Sequence, residues 1–316
     1  MTETLSVVIV LYNSATVVAD CLESIREEVS EGWVQVILVD NASPDTSLDV
    51  GLAAASSATV VRLDTNLGFA GGANAGIRVA DGKYVLLLNP DVRVPPGALR
   101  ELVEWMDRNP GIAAASPRLL NSDGADGFPG RALPSIWGTM LELSRMHRLL
   151  PPRIRGRLLQ GPYWSGADQL DVGWIPGTAM LVRASAISAA GPLSEVFFMY
   201  GEDIEWCYRI RRRAGRIGVC SSVSFVHDWG SSSKLSWGER EAERRVIGGI
   251  SFACEVMYGR AHARVIAALS ALAALSEALM PGPSAAQRSY ARESARNWAA
   301  CVWRGPARSG QRRSDG

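Results

Sequence analysis

The stretch that decides the fold is LSVVIVL, Leu5–Leu11, followed by VQVILV at Val34–Val39. Both runs are almost entirely apolar and rich in β-branched residues, as is typical of strands buried on both faces of a parallel sheet. Two further strands are predicted at Thr59–Leu63 and Tyr84–Leu88, with helical segments between the strands. This alternation predicts an α/β fold, with a Rossmann-like, mostly parallel central sheet flanked by helices.

The rest of the chain is organised less regularly. Apolar spacing predicts single helices over Ser14–Val29, Phe69–Ala80 and Asp203–Ala214, and a strand from Gly218 that ends at His227. Residues 121–170 are irregular, with one helix predicted over 135–150, and an insertion of this length is usually functional. We predict an α/β domain over residues 1–235, a helical extension over 236–303, and a disordered, arginine-rich tail over 304–316.

Composition limits the class of protein. A net charge of +1 over 316 residues gives no indication of a nucleic acid partner, and we predict none. The five cysteines are scattered, which favours a reducing compartment. The first residues lack the basic region of a signal peptide. No run reaches the roughly 20 apolar residues that span a bilayer, and Val265–Met280 is interpreted as an amphipathic or buried helix. We therefore expect a cytoplasmic protein.

Polar residues follow each of the first four predicted strands. These clusters are Tyr12-Asn13, Asp40-Asn41, Asp64-Thr65-Asn66 and Asn89-Pro90-Asp91. Ligands of open α/β sheets bind at the carboxyl ends of the strands, so the four clusters predict one polar crevice. Within it, Asp91 can hold a divalent cation or cap the segment that begins at Pro95. Asp40 can bind a base or ribose, or form an Asx-turn.

A glycine-rich run, NLGFAGGANAGI, covers Asn66–Ile77. It lacks the GxGxxG spacing and follows the third strand, which argues against a nicotinamide-dependent enzyme. Gly68, Gly71 and Gly72 allow the backbone to approach either a diphosphate or the neighbouring strand. At Gly76, close packing of helix on sheet is at least as good an explanation.

Acids open the helix predicted near residue 203. Glu202, Asp203 and Glu205 are favoured there by the helix dipole alone, but an acid in this position can also act as a general base. His227 ends the next strand. A single histidine is usually structural, although its position at a strand end also fits a metal ligand.

Together these segments resemble the family 2 glycosyltransferases, which have a GT-A fold, and most of all the rhamnosyltransferase-type enzymes of bacterial cell-surface polysaccharide synthesis. The resemblance spans about residues 5–230 and is carried by SVVIVLYNS (6–14), VDNASPD (39–45), NLGFAGGANAGI (66–77), LLLNPDV (86–92), WIPGTAMLVR (174–183) and FFMYGEDIEWCYRI (197–210).

The resemblance implies a role for particular residues. Tyr12 and Asp40 would contact the nucleotide base, and Asp91 and His227 would bind Mg²⁺ or Mn²⁺. Asp203 would be the catalytic base, with Glu202 beside it. The rest of the donor site would comprise Asn41, Asn66, Gly68, Gly71, Gly72, Asn74 and Asn89, and the acceptor side Trp174, Gly177 and Thr178. Asn89 departs from the family's DxD motif, so the metal site has one carboxylate fewer.

The implied reaction is an inverting transfer of a sugar from a nucleotide diphosphate donor to an acceptor hydroxyl. L-Rhamnose from dTDP-rhamnose is the first expectation, and galactofuranose or N-acetylhexosamine from a UDP-sugar are alternatives. The acceptor would be a glycan or a polyprenyl-linked saccharide, with peripheral membrane contact through the C-terminal region. A nucleotidyltransferase would need a glycine-rich basic loop where this chain has Tyr12-Asn13-Ser14, and an inactive carbohydrate-binding relative is favoured only by Asn89.

Overall fold

A computed structural model of the chain describes residues 4–127, 129–163, 169–227, 238–280 and 284–304. Its described strands form one sheet. They are β1 (Leu5–Leu11), β2 (Val34–Asp40), β3 (Thr59–Arg62), β4 (Tyr84–Leu88), β5 (Val92–Arg93), β6 (Ile112–Leu120), β7 (Gln169–Val172), β8 (Ala179–Arg183) and β9 (Arg216–His227).

Helices connect and flank these strands. In chain order they are α1 (Val18–Glu23), α2 (Arg26–Ser30), α3 (Ser47–Ala54), α4 (Gly68–Ile77), α5 (Ala98–Arg108), α6 (Ile136–Leu143), α7 (Pro152–Leu159), α8 (Ala184–Ala190), α9 (Glu202–Arg213), α10 (Glu239–Tyr258), α11 (Arg260–Leu279) and α12 (Ala285–Arg304). Short 3₁₀ helices cover Met146–Leu149 and Gly161–Tyr163.

The strand order is β3-β2-β1-β4-β8-β6-β9-β5, with β7 also paired to β9. Strands β1 to β4 are mutually parallel, and β6 and β9 run in the same direction as these four. Strands β5, β7 and β8 run the opposite way. Six of the nine described strands therefore share one direction, and the predicted mostly parallel α/β sheet flanked by helices is confirmed.

Contacts within the chain define two compact units. The first holds the sheet and comprises Met1–Arg131, Gly166–Glu195 and Trp206–Ser231. The second comprises Ala132–Ser165, Val196–Glu205 and Ser232–Gly316. Helix α9 thus begins in the second unit and continues in the first. The predicted domain limits at residues 235 and 303 remain a prediction, and the tail after residue 304 lies outside the described residues.

The core of the first unit explains its strands. Along β1 and β4 nearly every residue is buried, as expected for central strands covered on both faces. Aliphatic side chains from these strands meet those of α1 and α5 in one continuous cluster. The periodic face of α5 contributes Leu99, Leu102, Val103 and Met106 to this cluster.

The single helix predicted over Ser14–Val29 is wrong in one respect, because it is broken into α1 and α2. Ser24 lies at the break. Its hydroxyl donates to the carbonyl of Cys21 (2.6 Å) and accepts from the backbone N–H of Val94 (3.0 Å). A serine hydroxyl that bonds to a carbonyl of its own helix weakens the backbone hydrogen bonding of that helix. Here the backbone N–H of Val94 holds the Ser24 hydroxyl in this position.

The second unit is helical throughout its described elements. Helix α11 packs against α6, α10 and α12. The helix predicted over residues 135–150 ends earlier, at Leu143, because Arg145 adopts the left-handed conformation (φ +57°) and a 3₁₀ turn follows. Small apolar clusters hold the helices together, one of Ile247, Ala267 and Cys301 and another of Cys254, Ala263 and Ile266.

Among the described residues, one helix satisfies the length and hydropathy criteria for crossing a membrane. It is α11, Arg260–Leu279, with 22% of its most apolar window buried inside the protein.

Candidate active site

The loops after β1 and β2 are tied to each other by hydrogen bonds. The backbone N–H of Asn13 donates to Ser43 Oγ (2.9 Å), and that of Ser14 donates to Ser47 Oγ (2.7 Å). Asp45 Oδ2 accepts from the N–H of Ala15 (3.0 Å). The two strand ends therefore form one ordered rim.

Asp45 anchors this rim electrostatically. Partial burial opposes its charge, but hydrogen bonds from the Ser43 and Ser47 hydroxyls, together with the backbone N–H groups of Ala15 and Ser47, lower the pKa of Asp45 to about 2. The carboxylate is ionised at neutral pH and fixes both loops. In the sequence, this segment is recognisable as the VDNASPD motif, residues 39–45.

Tyr12 and Asp40, the predicted base contacts, lie at this rim. Tyr12 is 45% exposed, so its ring is available to a ligand. Asp40 Oδ1 accepts from the backbone N–H of Ser43 (3.0 Å). The Asx-turn considered for Asp40 is therefore present, and it leaves the second carboxylate oxygen of this half-buried residue for other contacts.

Asn41 and Asn66 lie together beneath the rim. Asn41 is buried; its Nδ2 donates to Asn66 Oδ1 (3.0 Å) and to the carbonyl of Gly68 (3.1 Å), and its Oδ1 accepts from the N–H of Leu67 (2.9 Å). Asn66 Oδ1 also accepts from the N–H of Gly68 (2.8 Å). These bonds use the whole amide of Asn41 and fix the start of α4, where Gly68 has φ +74°.

The glycines of α4 allow the helix to lie directly on the sheet. A Cβ at Gly72 would come 2.6 Å from Val10 Cγ1, and one at Gly76 would come 2.3 Å from Val8 Cγ1. Gly71 instead faces the Leu67 side chain of the preceding turn. Of the two roles considered for these glycines, approach to the neighbouring strand is the one visible at Gly72.

Asn74 connects α4 to a distant loop. Its Nδ2 donates to the carbonyl of Leu193 (2.9 Å) and to Glu195 Oε1 (2.8 Å), and its Oδ1 accepts from the N–H of Leu193 (2.9 Å). This buried amide is fully bonded and holds residues 193–195 against the helix. The resemblance placed Asn74 near the donor, and the bonds give it a structural task there.

The segment after β4 brings Asn89 beside Thr178. Strand β8 pairs with β4 in antiparallel register, with Leu88 opposite Ala179, and the N–H of Asn89 donates to the carbonyl of Thr178 (2.9 Å). Cys21 lies on the other side of this segment, and its thiol donates to the carbonyl of Asn89 (3.6 Å). Burial, together with the charge of Asp91, raises the pKa of the Cys21 thiol, which therefore stays protonated.

Asp91 and His227, the predicted metal ligands, are brought together. Strands β5 and β9 pair antiparallel with Val92 opposite His227, so Asp91 lies directly next to the histidine. His227 Nε2 is 3.4 Å from Asp91 Oδ1, and both side chains are less than 10% exposed. The carboxylate offers an oxygen and the imidazole offers a nitrogen that could bind a metal ion, and burial leaves both side chains little room to move.

The predicted acceptor-side residues border the same edge of the first unit. Trp174 exchanges two backbone hydrogen bonds with Arg131 and is half-buried. Gly177 lies against the ring of Phe69, where a Cβ would come 2.9 Å from Cε1. Trp174, Gly177 and Thr178 therefore precede β8 in a loop whose last residue contacts Asn89.

Glu202 and Asp203 belong to the second unit, at the first turn of α9. Glu202 is buried, and its Oε2 atom has no hydrogen-bond partner. Burial and the neighbouring charge of Asp203 raise the pKa of Glu202 to about 8. Asp203 is half-buried, and its Oδ1 accepts from the N–H of Ile204 (2.8 Å). Two adjacent acids thus occupy different environments.

The backbone before α9 is held in an unusual conformation. Tyr200 has φ +69° and Gly201 has φ +95°, and residues with a side chain rarely adopt such positive φ values. A Cβ on Gly201 would come 2.4 Å from the carbonyl oxygen of Gly249, and one on Gly249 would come 2.4 Å from that of Tyr200. This close backbone contact with α10 fixes the start of α9, which carries the two acids.

No group of three or more His, Cys, Asp or Glu side chains suited to a metal is found among the residues that the structure describes. Asp91 and His227 form a pair of such donors. The predicted site residues did not include Cys21, Asp45 or Gly249. Only Asp45 carried a local signal, the turn that contains it.

Known glycosyltransferases are similar in sequence to this chain. A hexosyltransferase of low-salt glycan biosynthesis, Agl10 of Haloferax volcanii, is 29% identical over 72% of this chain and 68% of its own length. An N-acetylglucosaminyl-diphospho-decaprenol L-rhamnosyltransferase of Mycobacterium tuberculosis is 28% identical over 70% of this chain and 73% of its own.

A solved structure also matches the fold. The mannosyltransferase PcManGT of Pyrobaculum calidifontis, in complex with GDP-Man and Mn²⁺, superposes with a TM-score of 0.60 at 15% identity, over 96% of this chain and 88% of that one. Residues 6–158 match the sequence model of Glycosyl transferase family 2. The chain therefore carries a glycosyl transferase family 2 domain over residues 6–158, has the GT-A fold and is a glycosyltransferase.

Proposed function

We propose that this chain is an inverting, metal-assisted hexosyltransferase that moves a sugar from a nucleotide diphosphate to an acceptor hydroxyl. The observation that carries the proposal is the Asp91–His227 pair, 3.4 Å apart, beside the segment where Asn89 bonds to Thr178. In a sheet of this class, ligands bind at this edge. A buried pair of metal donors there suits a diphosphate, which carries its own oxygen ligands.

The two side chains fit a divalent cation. Ligands about 2.1 Å from one ion and at right angles to each other lie about 3 Å apart, close to the separation of Asp91 Oδ1 and His227 Nε2. With two protein ligands, the remaining positions would be filled by phosphate oxygens and water. The imidazole favours Mn²⁺ over Mg²⁺, since nitrogen donors suit the transition metals better.

The chain's own residues then have distinct tasks. Tyr12 and Asp40 would hold the base at the rim that Asp45 fixes. Asp91 and His227 would hold the cation, which neutralises charge on the leaving diphosphate. Asp203 would accept the proton of the acceptor hydroxyl as that oxygen attacks the anomeric carbon from the face opposite the leaving group. A single displacement inverts the configuration, so no covalent nucleophile is needed.

Similarity to the two relatives supports the substrate classes. Both match this chain over more than two thirds of its length, and one is a rhamnosyltransferase whose name gives a polyprenyl diphosphate-linked saccharide as the acceptor. We propose L-rhamnose from dTDP-rhamnose as the donor, with UDP-galactofuranose or a UDP-N-acetylhexosamine as alternatives. The acceptor would be a glycan or a polyprenyl-linked saccharide.

The function is tested by incubating the protein with each nucleotide sugar and Mn²⁺ and measuring release of the nucleoside diphosphate, with and without saccharide acceptors. An active donor should depend on metal and give a product of inverted anomeric configuration. Formation of nucleoside triphosphate and sugar 1-phosphate when pyrophosphate is added would instead identify a nucleotidyltransferase. Absence of turnover with every donor, despite donor binding, would identify an inactive relative.

The role of Asp203 is tested by Asp203→Asn. Loss of a general base typically lowers turnover by about 10²–10⁴. We expect that decrease in kcat with donor affinity retained, since the amide keeps the size of the side chain. Glu205→Gln, two residues further along the same helix, is the matched control. Normal turnover by Asp203→Asn would remove the residue from this role.

A further inference from the structure

The second unit exposes a segment that is both apolar and basic. We call residues 146–158, MHRLLPPRIRGRL, the basic–apolar segment. Four of its aliphatic side chains are exposed, Met146, Leu149, Ile154 and Leu158, and Leu149 is 83% exposed. Single exposed apolar residues are ordinary on protein surfaces, but several within one short segment usually mark an interaction surface.

The charge of this segment has one sign. It contains four arginines and no acidic residue. Arg148, Arg153 and Arg157 are exposed, and Arg155 is half-buried with its guanidinium over the ring of Tyr163 (5.4 Å). Exposed guanidinium groups therefore alternate with exposed aliphatic side chains along α7 and the turn before it.

The segment is ordered, so its apolar side chains are exposed by the fold. His147 is buried, donates from Nδ1 to the carbonyl of Leu141 (3.3 Å) and accepts at Nε2 from the Tyr163 hydroxyl (3.3 Å). Leu159 is buried at the end of α7. These contacts anchor both ends of the segment, and Leu149 and Ile154 lie on the outward side between the anchors.

Helix α11 belongs to the same unit and packs on α6, the helix that precedes this segment. Burial and the charge of Glu142 raise the pKa of Tyr163, and the charges of Arg155, Arg148 and Glu277 also act on it. Glu277 therefore lies within electrostatic range of Tyr163. Helix α11 also exposes a stripe with helical spacing, Val265, Leu272, Leu275 and Leu279, which adds aliphatic surface to the second unit.

From this composition we infer that the basic–apolar segment docks on the surface of an anionic lipid bilayer. Aliphatic side chains would enter the boundary between head groups and acyl chains, while the long arginine side chains reach the lipid phosphates. A nucleic acid would satisfy the arginines but leave the aliphatic side chains in water. The mode is interfacial, with α7 lying along the membrane surface.

The sequence alone suggested membrane contact through the C-terminal helices and the arginine-rich tail. That expectation stays a prediction, and the contact inferred here lies elsewhere, in the insertion between α6 and the 3₁₀ helix at Gly161–Tyr163. This inference does not depend on the proposed reaction, because nucleoside diphosphate release in solution is measured without lipid. Failure of one leaves the other in place.

Charge is tested by co-sedimentation of the full chain with vesicles of phosphatidylcholine alone or mixed with phosphatidylglycerol. Each arginine near an anionic surface contributes about 1 kcal/mol, so Arg148→Gln with Arg153→Gln and Arg157→Gln should lower partitioning roughly 100-fold. The matched control is Arg264→Gln with Arg292→Gln and Arg296→Gln, which removes the same charge from exposed positions of α11 and α12.

The control triple should retain binding. Equal loss in both triples would show general attraction of a basic protein and overturn the assignment, as would binding that neutral vesicles support equally well. Thermal unfolding checks that both triples fold, which we expect because the substituted side chains are exposed.

Insertion is tested by a polarity-sensitive label on Leu149→Cys. All five native cysteines are buried, so the added thiol is the one that the reagent reaches. Its emission should rise and shift to the blue with anionic vesicles. The same label on Ser289→Cys, at an exposed position of α12, should not respond. An unchanged spectrum at residue 149, with the protein bound to vesicles, would contradict docking through this segment.

Discussion

Glu202 and Asp203 are neighbours in sequence but differ in their contact with solvent. Glu202 is buried, whereas Asp203 is half-buried and bonded to the start of its own helix. Two close acids do not ionise together easily, and the better solvated one keeps the charge. Glu202, whose pKa is raised to about 8, is therefore mostly neutral at pH 7. A neutral carboxylic acid is a poor base, which favours Asp203 over Glu202 for the proposed role.

This difference predicts how stability depends on pH. Because the folded-state pKa of Glu202 lies above its unfolded value, the native state binds more protons between about pH 4.5 and 8. The free energy of unfolding should therefore decrease as pH rises through that window, by at most about 1.4 kcal/mol per pH unit from this group. Glu202→Gln resembles the neutral form and should flatten the decrease.

Urea unfolding of the wild type and Glu202→Gln at pH 5.5, 7 and 8 measures this effect. The variant should gain stability relative to the wild type as pH rises. Glu205→Gln is the control, since it changes a buried acid one turn along the same helix. Parallel curves for wild type and Glu202→Gln would contradict the raised pKa.

Asp91 and His227 carry a second prediction at this scale. Loss of even an outer partner of a metal ligand typically weakens metal binding about 10–100-fold, and removal of a ligand should cost at least as much. We expect Asp91→Asn and His227→Gln to raise the Mn²⁺ concentration for half-maximal activity by that factor or more. Asp49→Asn, at an exposed position of α3, should leave it unchanged. Unaltered metal dependence in both variants would refute the pair as the metal site.

At the scale of elements, the glycines of α4 set the distance between helix and sheet. At Gly76 a Cβ would meet Val8 Cγ1 at 2.3 Å and Val39 Cγ2 at 3.0 Å, both on strands buried in the core. Close-packed interiors do not absorb an added methyl group without displacing neighbours. The start of α4, held by Asn41 and Asn66, would move with the helix.

We therefore expect Gly76→Ala to lower the free energy of unfolding by about 1–3 kcal/mol, the usual cost of overpacking. A double-mutant cycle with Val8→Ala isolates the contact, since that substitution removes the atom nearest to the added methyl group. Gly76→Ala should cost less in the Val8→Ala background when both are measured by urea unfolding. An equal cost in the two backgrounds would place the strain elsewhere.

Elements with a strong local pattern were predictable from sequence. Strands β1 and β4 have the predicted limits because each is an almost entirely apolar run, interrupted only by Ser6 in β1. The break between α1 and α2 was not predictable, since it depends on a hydrogen bond from Val94, 70 residues away, to Ser24. The partners of Asn74 lie 119 and 121 residues away, so sequence identified the residue and not its structural bonds.

The whole molecule shows the same limit. Residues 132–165 belong with the C-terminal helices because α6 packs on α11, a contact between segments far apart in sequence that leaves no local pattern. In contrast, Asp91 and His227 were expected to meet, because the resemblance to family 2 glycosyltransferases implied that both bind one metal ion. A candidate site residue can be recognised from its local sequence, whereas the residues that it contacts depend on the complete fold.

Thermal unfolding of the intact protein tests donor binding and metal binding together. A ligand that binds only the native state at about 100 times its dissociation constant stabilises it by about 2.7 kcal/mol. For a chain of 316 residues this corresponds to a rise in Tm of roughly 4 °C. We expect dTDP or UDP with Mn²⁺ to produce such a shift, larger than the sum of the shifts with nucleotide alone and with metal alone, because each supplies ligands that the other lacks. His227→Gln should lose the excess and keep the shift due to nucleotide alone. Equal shifts with and without Mn²⁺ in the wild type would mean that the diphosphate binds without the cation. The proposal of a metal-assisted reaction would then have to be abandoned, whereas a sugar-nucleotide site at the rim of β1 and β2 would stand.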